Sequence, residues 1–304
     1  MKAYETFPFQ TRNESPLVQI FAIPNILNAE IVSEKELSTQ VTFNIINNFI
    51  NSKTKSEELF LDSEIYKLNL SVNYGLAKGM DIGITIPYLF SSGGILDSSI
   101  ENWHKTFSFP EGQRINYPRN QFHYMYNKNG NKKFDIYDTE NSIGDISLSF
   151  GYEIFKNVAL RGSVKIPTAD EKSLTGSGGT DFSFYFAGKN KIGIAHIYGD
   201  AGFIVTGKSY YLSDERKTLV GFGTIGLGIE YWDYFIPKIQ IDLHSPFYHS
   251  SLKEIGSYAG QVVIGGTIFL SKKSKMFLDI GIIEDIIVTT APDVVFHFSF
   301  GKFF

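Results

Sequence analysis

The sequence predicts an all-β chain: a transmembrane, antiparallel, up-and-down β-barrel of about 12 strands. Three observations lead there. Apolar and polar residues alternate with a period of two along most of the chain, the period of a strand that shows one face to each of two surroundings. The segments between alternating runs are by turns short and long, the rhythm of tight turns at one end of a barrel and larger loops at the other. The final stretch, Asp293–Phe304, puts Val294, Phe296, Phe298 and Phe300 on one face and Val295, His297, Ser299 and Gly301 on the other. A seam strand between hydrocarbon and a wet lumen has this form.

Composition narrows the class. The 304 residues would suit about two globular domains, yet all-β barrels reach this size as one. Hydrophobic residues at 43% and charged residues at 20% average out as soluble, but 27 Phe and 17 Tyr stand against 2 Trp and fall in alternating runs. No apolar run approaches the ~18 residues of a transmembrane helix, which leaves barrel strands of about 10 residues as the way across a membrane. The absence of Cys rules out disulfides and thiolate metal sites, and a net charge of −4 argues against a nucleic-acid partner. The opening Met-Lys-Ala-Tyr-Glu-Thr lacks the apolar core of a secretory signal, so either the protein is not exported or this is a mature form with the signal removed and a start Met added, and the barrel pattern of the rest favours the second.

Residues 1–37 form an irregular lead-in. Turn chemistry at Arg12-Asn13-Glu14-Ser15-Pro16 precedes a short apolar segment, Leu17–Ile23, closed by Pro24. This segment is an edge strand, a tucked-in terminus or a plug in the lumen. Residues 38–304 are the barrel. Alternation begins near Ser38 and recurs in Ile65–Gly75, Met80–Phe90, Ile143–Tyr152, Leu160–Ile166, Phe182–Phe186, Pro237–His244 and Leu278–Ile283, with Gly-rich strands near 191–205, 217–230 and 257–270. Short turns are expected at Leu76–Gly79, Phe155–Asn157, Gly188–Lys191, Tyr231–Tyr234 and Ser271–Ser274. Longer connections are expected at Asn51–Ser56, Ser91–Asn141, Ala169–Gly178, Gly207–Arg216 and Pro246–Gly256, with a modest one at Thr289–Pro292. An even strand number places both termini on the periplasmic side of an outer membrane. The aromatics of Tyr231-Trp232-Asp233-Tyr234-Phe235 suit an interfacial girdle.

The long external loop 91–141 has structure of its own. Ser98-Ser99-Ile100-Glu101 is a capping box, followed at helical spacing by Leu96, Ile100, Trp103 and Phe107. Asn129-Gly130 between Gln121–Tyr126 and Lys132–Tyr137 signals a hairpin. Such a loop should fold over or into the barrel mouth as cap or constriction. Arg12, Trp103 and His104 are the candidate plug and loop residues.

Alternation alone leaves open which face points inward. Twelve strands enclose more space than apolar side chains fill, the apolar faces carry no charge through their middles, and the turn–loop asymmetry has no soluble counterpart. The polar faces therefore line the lumen, and Arg161, Lys165, Asp181, Lys238, Asp242 and His244 are candidate lumen or selectivity residues, with Arg161/Lys165 and Lys238/Asp242 leading for a constriction. Mixed charge serves two purposes equally: cross-lumen pairs that stiffen the barrel, or a selectivity lining.

Enzyme chemistry finds little purchase. His244-Ser245 and His249-Ser250 supply Ser and His without an orienting third group, and the glycines of Thr175–Asp181 lack the Lys of a phosphate-binding loop. No catalytic residue, metal site or cofactor is expected.

Residues 12–24, R-N-E-S-P-L-V-Q-I-F-A-I-P, with Gly93–Asp97, Glu101–His104 and Gly144–Ser149, resemble an outer-membrane barrel family known as domain of unknown function 3187. Gly144–Gly151, Ala159–Thr168 and Gly176–Phe186 are similar, more loosely, to barrels of phenol meta-pathway degradation clusters. The resemblance implies an outer-membrane barrel and supplies no functional residue. The expected function is a channel or facilitated transporter for small molecules. Its partners are outer-membrane lipid, an unidentified cargo and, through the C-terminal strand, the barrel assembly machinery. The alternatives are a closed structural or docking barrel and, less favoured, an outer-membrane hydrolase.

Overall fold

The structure, a computed structural model, describes residues 7–21, 23–24, 29–98, 116–138, 141–271, 276–287 and 289–303. Twelve antiparallel strands close a barrel: β1 (Leu37–Lys53), β2 (Glu57–Ala77), β3 (Met80–Ser92), β7 (Ile146–Phe155), β8 (Val158–Ile166), β9 (Asp181–Ile192), β10 (Ala195–Val205), β11 (Leu219–Ile229), β12 (Phe235–His244), β13 (Ala259–Ser271), β14 (Met276–Asp285) and β15 (Val294–Phe303). Each pairs with its neighbour, and β15 closes the seam on β1 from Ser38 opposite Phe303 to Asn47 opposite Val294. Three further strands, β4 (His123–Lys128), β5 (Asn131–Ile136) and the short β6 (Ser142–Ile143), lie at the loop end.

The burial pattern is that of a globular protein turned inside out. Phe182, Phe184 and Phe186 of β9 are exposed on the outside, while Asp181, Ser183 and Tyr185 between them are buried. The same inversion runs through β2, β3, β7, β12 and β15, where Leu70, Ile82, Phe150, Ile239 and Phe298 are exposed and Ser71, Asp81, Lys238 and His297 are buried. In water this arrangement would leave a continuous apolar belt around the molecule, far beyond the patches soluble proteins show. Hydrocarbon makes it stable, and the chain is a membrane β-barrel.

The strands vary in length for a readable reason. β2 has 21 residues, about twice what a crossing requires. Its lower part pairs with β3 and alternates in exposure, whereas Glu57–Asp62 pair with β4 and this upper part is buried on both faces. The change from one-faced to two-faced burial near Ile65 marks where the strand leaves the bilayer. The connection expected over Asn51–Ser56 is accordingly short. Those polar residues are strand, continued above the membrane, and only 54–56 turn. The hairpin at Asn129-Gly130 forms with both residues at positive φ, 51° and 78°.

Two other details depart from expectation. β9 runs on through Lys189 and Lys191 and turns at Gly193-Ile194, because lysines at the membrane–water boundary need not end a strand. Val294 has the outward phase yet is buried, since it pairs with the part of β1 that is covered on both faces. The helix expected from Ser98 begins at Asp97–Ser98, and the rest of it, with Trp103 and His104, lies outside the described residues, as does most of Ser271–Ser274. Exposed Tyr231, Trp232, Tyr234 and Phe235 lie at the β11–β12 turn and Tyr152 and Phe155 at the β7–β8 turn, both at the short-turn end, and Tyr137, Tyr210 and Tyr258 stand exposed at the loop end. These are the two interfacial levels.

Substituting Phe186, 57% exposed in the middle of β9, by Arg tests the inversion. In lipid vesicles the loss of stability should be roughly 2–4 kcal/mol, against no more than about 0.5 kcal/mol for an exposed position facing water. Urea titration of the two chains reads the difference directly.

Candidate functional site

The lumen is occupied by the chain's own N-terminal segment. Residues 7–13 run extended beside β12, and the contacts keep one constant sequence offset of 231. Lys238 Nζ donates to the Phe7 carbonyl at 2.8 Å. Phe9 N–H donates to Gln240 Oε1 at 3.0 Å, and Gln240 Nε2 donates back to the Phe9 carbonyl at 3.2 Å. Thr11 Oγ1 donates to Asp242 Oδ2 at 2.6 Å, and Asn13 Nδ2 donates to His244 Nε2 at 2.9 Å. His244 Nδ1 in turn faces the Ser245 carbonyl at 2.9 Å, which is the tautomer both contacts require. The offset is constant because both chains are extended, so alternate residues of each advance by the same rise. Further up, the Tyr248 hydroxyl donates to the Leu17 carbonyl at 2.8 Å, and burial pushes that phenol well above its ordinary pKa, keeping the proton it donates.

The segment turns at the loop end and comes back. Ser15, Pro16 and the four-residue helix α1 (Pro16–Gln19) make the bend. Leu17, Val18, Ile20 and Phe21 bury themselves against Tyr124, Tyr126 and Phe134 of the β4–β5 hairpin and against Phe247, Tyr248 and Leu252, with Phe21 stacked 5.0 Å from Phe247. The hairpin of the long loop thus covers the barrel mouth. On the return, Lys165 Nζ holds the Ile20 carbonyl (2.9 Å) and Arg161 holds the Glu30 carbonyl (3.0 Å). Asp81 Oδ2 accepts from Val32 N–H at 3.1 Å, and the chain then bridges Gly75 and enters β1. Arg12 ties the two legs together, its Nε donating to the Pro24 carbonyl at 2.7 Å.

Each of the inward cations has a carboxylate beside it. Arg12 pairs with Asp200 (2.7 Å), Lys67 with Glu14 (2.6 Å), Arg161 with Asp81 (3.0 Å) and Lys238 with Asp279 (2.8 Å). Lys165 sits between Asp145 (2.7 Å) and Asp181 (2.9 Å). Lys238 also lies over the Phe9 ring, 3.8 Å from its centroid, and Arg12 over Phe222 at 5.2 Å. Burial demands such pairing, since an isolated charge here would be strongly destabilising.

Each predicted residue can now be placed. Arg161, Lys165 and Asp181 gather on the β8–β9 wall, and Lys238, Asp242 and His244 on β12. The two sets do not face each other across open water, because the N-terminal segment touches both. Asp242 is held by Thr11, Thr224, Gln240 and Gln261. Trp103 and His104 lie outside the described residues. The His249 backbone N–H donates to the Glu215 carbonyl, and the Ser250 hydroxyl is taken up by the Glu57 carboxylate. The sequence assigns Asp200 and Asp279 to the inward face without singling them out, and it passes over Gln240 and Glu14. The one available signal was the alternation of Phe7, Phe9, Thr11 and Asn13 within the irregular lead-in.

The segment fills the lumen unevenly. Toward β10–β15 and β1 the wall is sealed, with Asn44, Gln240, Asp279 and His297 each 0% exposed. Toward β2, β3, β7 and β8 the inward residues Asn73, Thr85, Ser147, Ser149 and Ser163 remain partly exposed although they face the inside. Between this wall and the return leg lies a cavity of about 70 Å³, lined by Gln19, Ile23, Pro24, Lys67, Asn69, Thr85, Ser147, Ser149, Ser163 and Tyr185 among others.

The chain has no Cys, so paired cysteines give a clean test. A Thr11→Cys/Asp242→Cys chain should form an intramolecular disulfide on mild oxidation, while Thr11→Cys/Ser149→Cys should remain reduced. Gel mobility before and after reduction reads both. The reverse pattern would place the segment against the other wall.

No curated protein matches the chain in sequence. Among solved structures, the COG4313 outer membrane channel from Pseudomonas putida F1 is similar over 92% of this chain and 100% of its own, with a TM-score of 0.56 and 11% identity. The Ralstonia pickettii toluene transporter TbuX is similar over 89% of this chain and 90% of its own, with a TM-score of 0.43 and 8% identity. The CymD monoaromatic hydrocarbon channel is similar over 95% and 97%, with a TM-score of 0.43 and 8% identity. The first shares the backbone course of an outer-membrane β-barrel, and at that identity it shares the fold alone. The model of the family described as "Protein of unknown function (DUF3187)" matches residues 1–304, and the chain belongs to that family.

Proposed function

We propose that the protein is an outer-membrane channel or facilitated transporter for small molecules, held closed in this conformation by residues 1–37 acting as a plug inside the barrel of 38–304. One observation carries the reading: a polar, partly exposed lane remains along β2, β3, β7 and β8 while the opposite wall is sealed. A barrel that served only as a scaffold has no need of an uneven filling. That the Pseudomonas putida F1 neighbour is an outer membrane channel supports the same reading. The short-turn end faces the periplasm and the hairpin-covered end faces outward. The alternating terminal strand β15 is the part the barrel assembly machinery would recognise.

A second reading has an observation of its own. The apolar packing of Leu17–Phe21 under the β4–β5 hairpin covers the mouth, as a closed structural or docking barrel would require. The two readings separate in planar bilayers. Deleting residues 7–24 removes the plug without removing any strand, and should turn a nearly silent protein into one with a steady, ohmic conductance. Silence from both the whole chain and the deletion, with the barrel folded by its heat-modifiable gel mobility, is the result expected of the closed barrel.

A further inference from the structure

One level of the wall is built around a guanidinium. Asp200 of β10 stands opposite Thr224 of β11, Thr224 opposite Asp242 of β12, and Asp242 opposite Gln261 of β13. All four are buried, so neighbouring strands set two carboxylates, a hydroxyl and an amide side by side on the inner face. Arg12 of the plug lies on this row. Its Nη2 donates to Asp200 Oδ2 and its Nη1 to Thr224 Oγ1, both at 2.7 Å, and Thr224 Oγ1 donates onward to Asp242 Oδ1 at 2.8 Å. Arg12 Cζ lies over the Phe222 ring, 5.2 Å from its centroid. Two N–H groups on acceptors of adjacent strands, with a ring beside them, suit a planar fork and not a compact ammonium.

The row has more acceptors than Arg12 uses. Two carboxylates share one cation here, whereas Lys238 with Asp279 and Arg161 with Asp81 are matched singly. Asp200 Oδ1 and Gln261 Oε1 are buried and have no hydrogen-bond partner. Lys165 also sits between two carboxylates, but Asp145 and Asp181 take the backbone N–H groups of Thr168, Ala169, Ser177 and Gly207, and so hold loops. Among the described residues Asp200 takes no backbone group. An anchor for the plug needs neither the second carboxylate nor the idle acceptors, which cost stability where they stand. A site that exchanges one cation for another uses both.

We infer that this row is the selectivity site of the channel, and that it takes a small solute bearing a guanidinium group, whose place Arg12 holds in the closed form. The inference rests on the channel reading above and adds the solute class to it. Arg12 is then a tethered competitor. A solute that displaces it takes over Asp200 and Thr224, and the contact of Arg12 Nε with the Pro24 carbonyl, which ties the two legs of the plug, is lost with it. Binding and unplugging are thereby linked, because the solute fits the row only where Arg12 has left it. With Arg12 gone the row presents two carboxylates without a cation, a field that favours a positive solute over a neutral one of the same shape.

Proteoliposomes of the full chain test this, with uptake of radiolabelled methylguanidinium, urea and methylammonium measured against protein-free vesicles. Urea has the shape of the fork without its charge, and methylammonium the charge without the fork. Methylguanidinium should enter at least about tenfold faster than either. Arg12→Gln removes the competitor and should raise methylguanidinium entry several-fold. Arg12→Gln/Asp200→Asn, which leaves no unpaired charge at Asp200, should bring that entry down by about tenfold with urea entry unchanged. Folding of each chain is verified by heat-modifiable mobility, and where a variant does not fold the wild-type ratios decide alone. Urea or methylammonium entering as fast as methylguanidinium overturns the site and leaves the channel standing. A folded Arg12→Gln chain no faster than wild type, or a folded double variant that keeps the Arg12→Gln rate, overturns it as well. Entry of none of the three, in the wild type and in Arg12→Gln alike, removes the channel reading itself.

Discussion

Everything in this structure follows from having hydrocarbon where a soluble protein has water. The outer surface must be apolar, so each strand commits every second residue to lipid, and the remaining residues have only the lumen to face. A lumen of 12 strands is too wide for wall side chains to fill by themselves. The polar groups left there need water, one another or another segment of chain. The N-terminal segment meets that need for one half of the wall, and the other half keeps access to solvent.

The manner of attachment is what lets a segment of chain lie inside the barrel. The described residues between 7 and 32 form no ladder with the barrel, so their backbone donors and acceptors would be orphaned in a dry interior. Wall side chains take the place of a partner strand. Lys238, Gln240, Tyr248, Lys165 and Arg161 each satisfy a backbone carbonyl of the segment, and Gln240 and Asp81 each accept a backbone N–H. The same lysines and arginine must also be neutralised, which is why a carboxylate of the wall lies beside each of them. Long polar side chains thereby do two jobs, holding the segment and closing the charge balance of the lumen.

The sequence made the barrel legible because the rule that governs it is local. Period-two alternation needs only neighbours, so the phase of Phe182–Phe186 or Lys238–His244 could be read without knowing what lay across the barrel. The irregular places, such as Lys189 and Lys191 within β9, were misread as a turn because polarity near the membrane boundary looks the same in strand and loop. The site was harder to see. Lys238 and Asp242 could be assigned to the lumen from their strand alone. That Phe7 and Thr11 would lie against them depends on an offset of 231 residues, which no window on the sequence contains. Asp279 shows the same limit: its inward phase could be read from β14, but that it pairs with Lys238 appears only once β12 and β14 share an interior.

The pair of Lys238 and Asp279, both fully buried, is the most direct probe of this account. If the plugged side of the lumen is dry, Lys238→Met leaves Asp279 as a buried, unpaired carboxylate, and urea unfolding in lipid vesicles should show a loss of about 3–5 kcal/mol. Adding Asp279→Leu to the same chain should recover most of that loss. A Lys238→Met protein that unfolds at the wild-type urea concentration would mean that water reaches Asp279 freely, and that the segment does not fill the lumen.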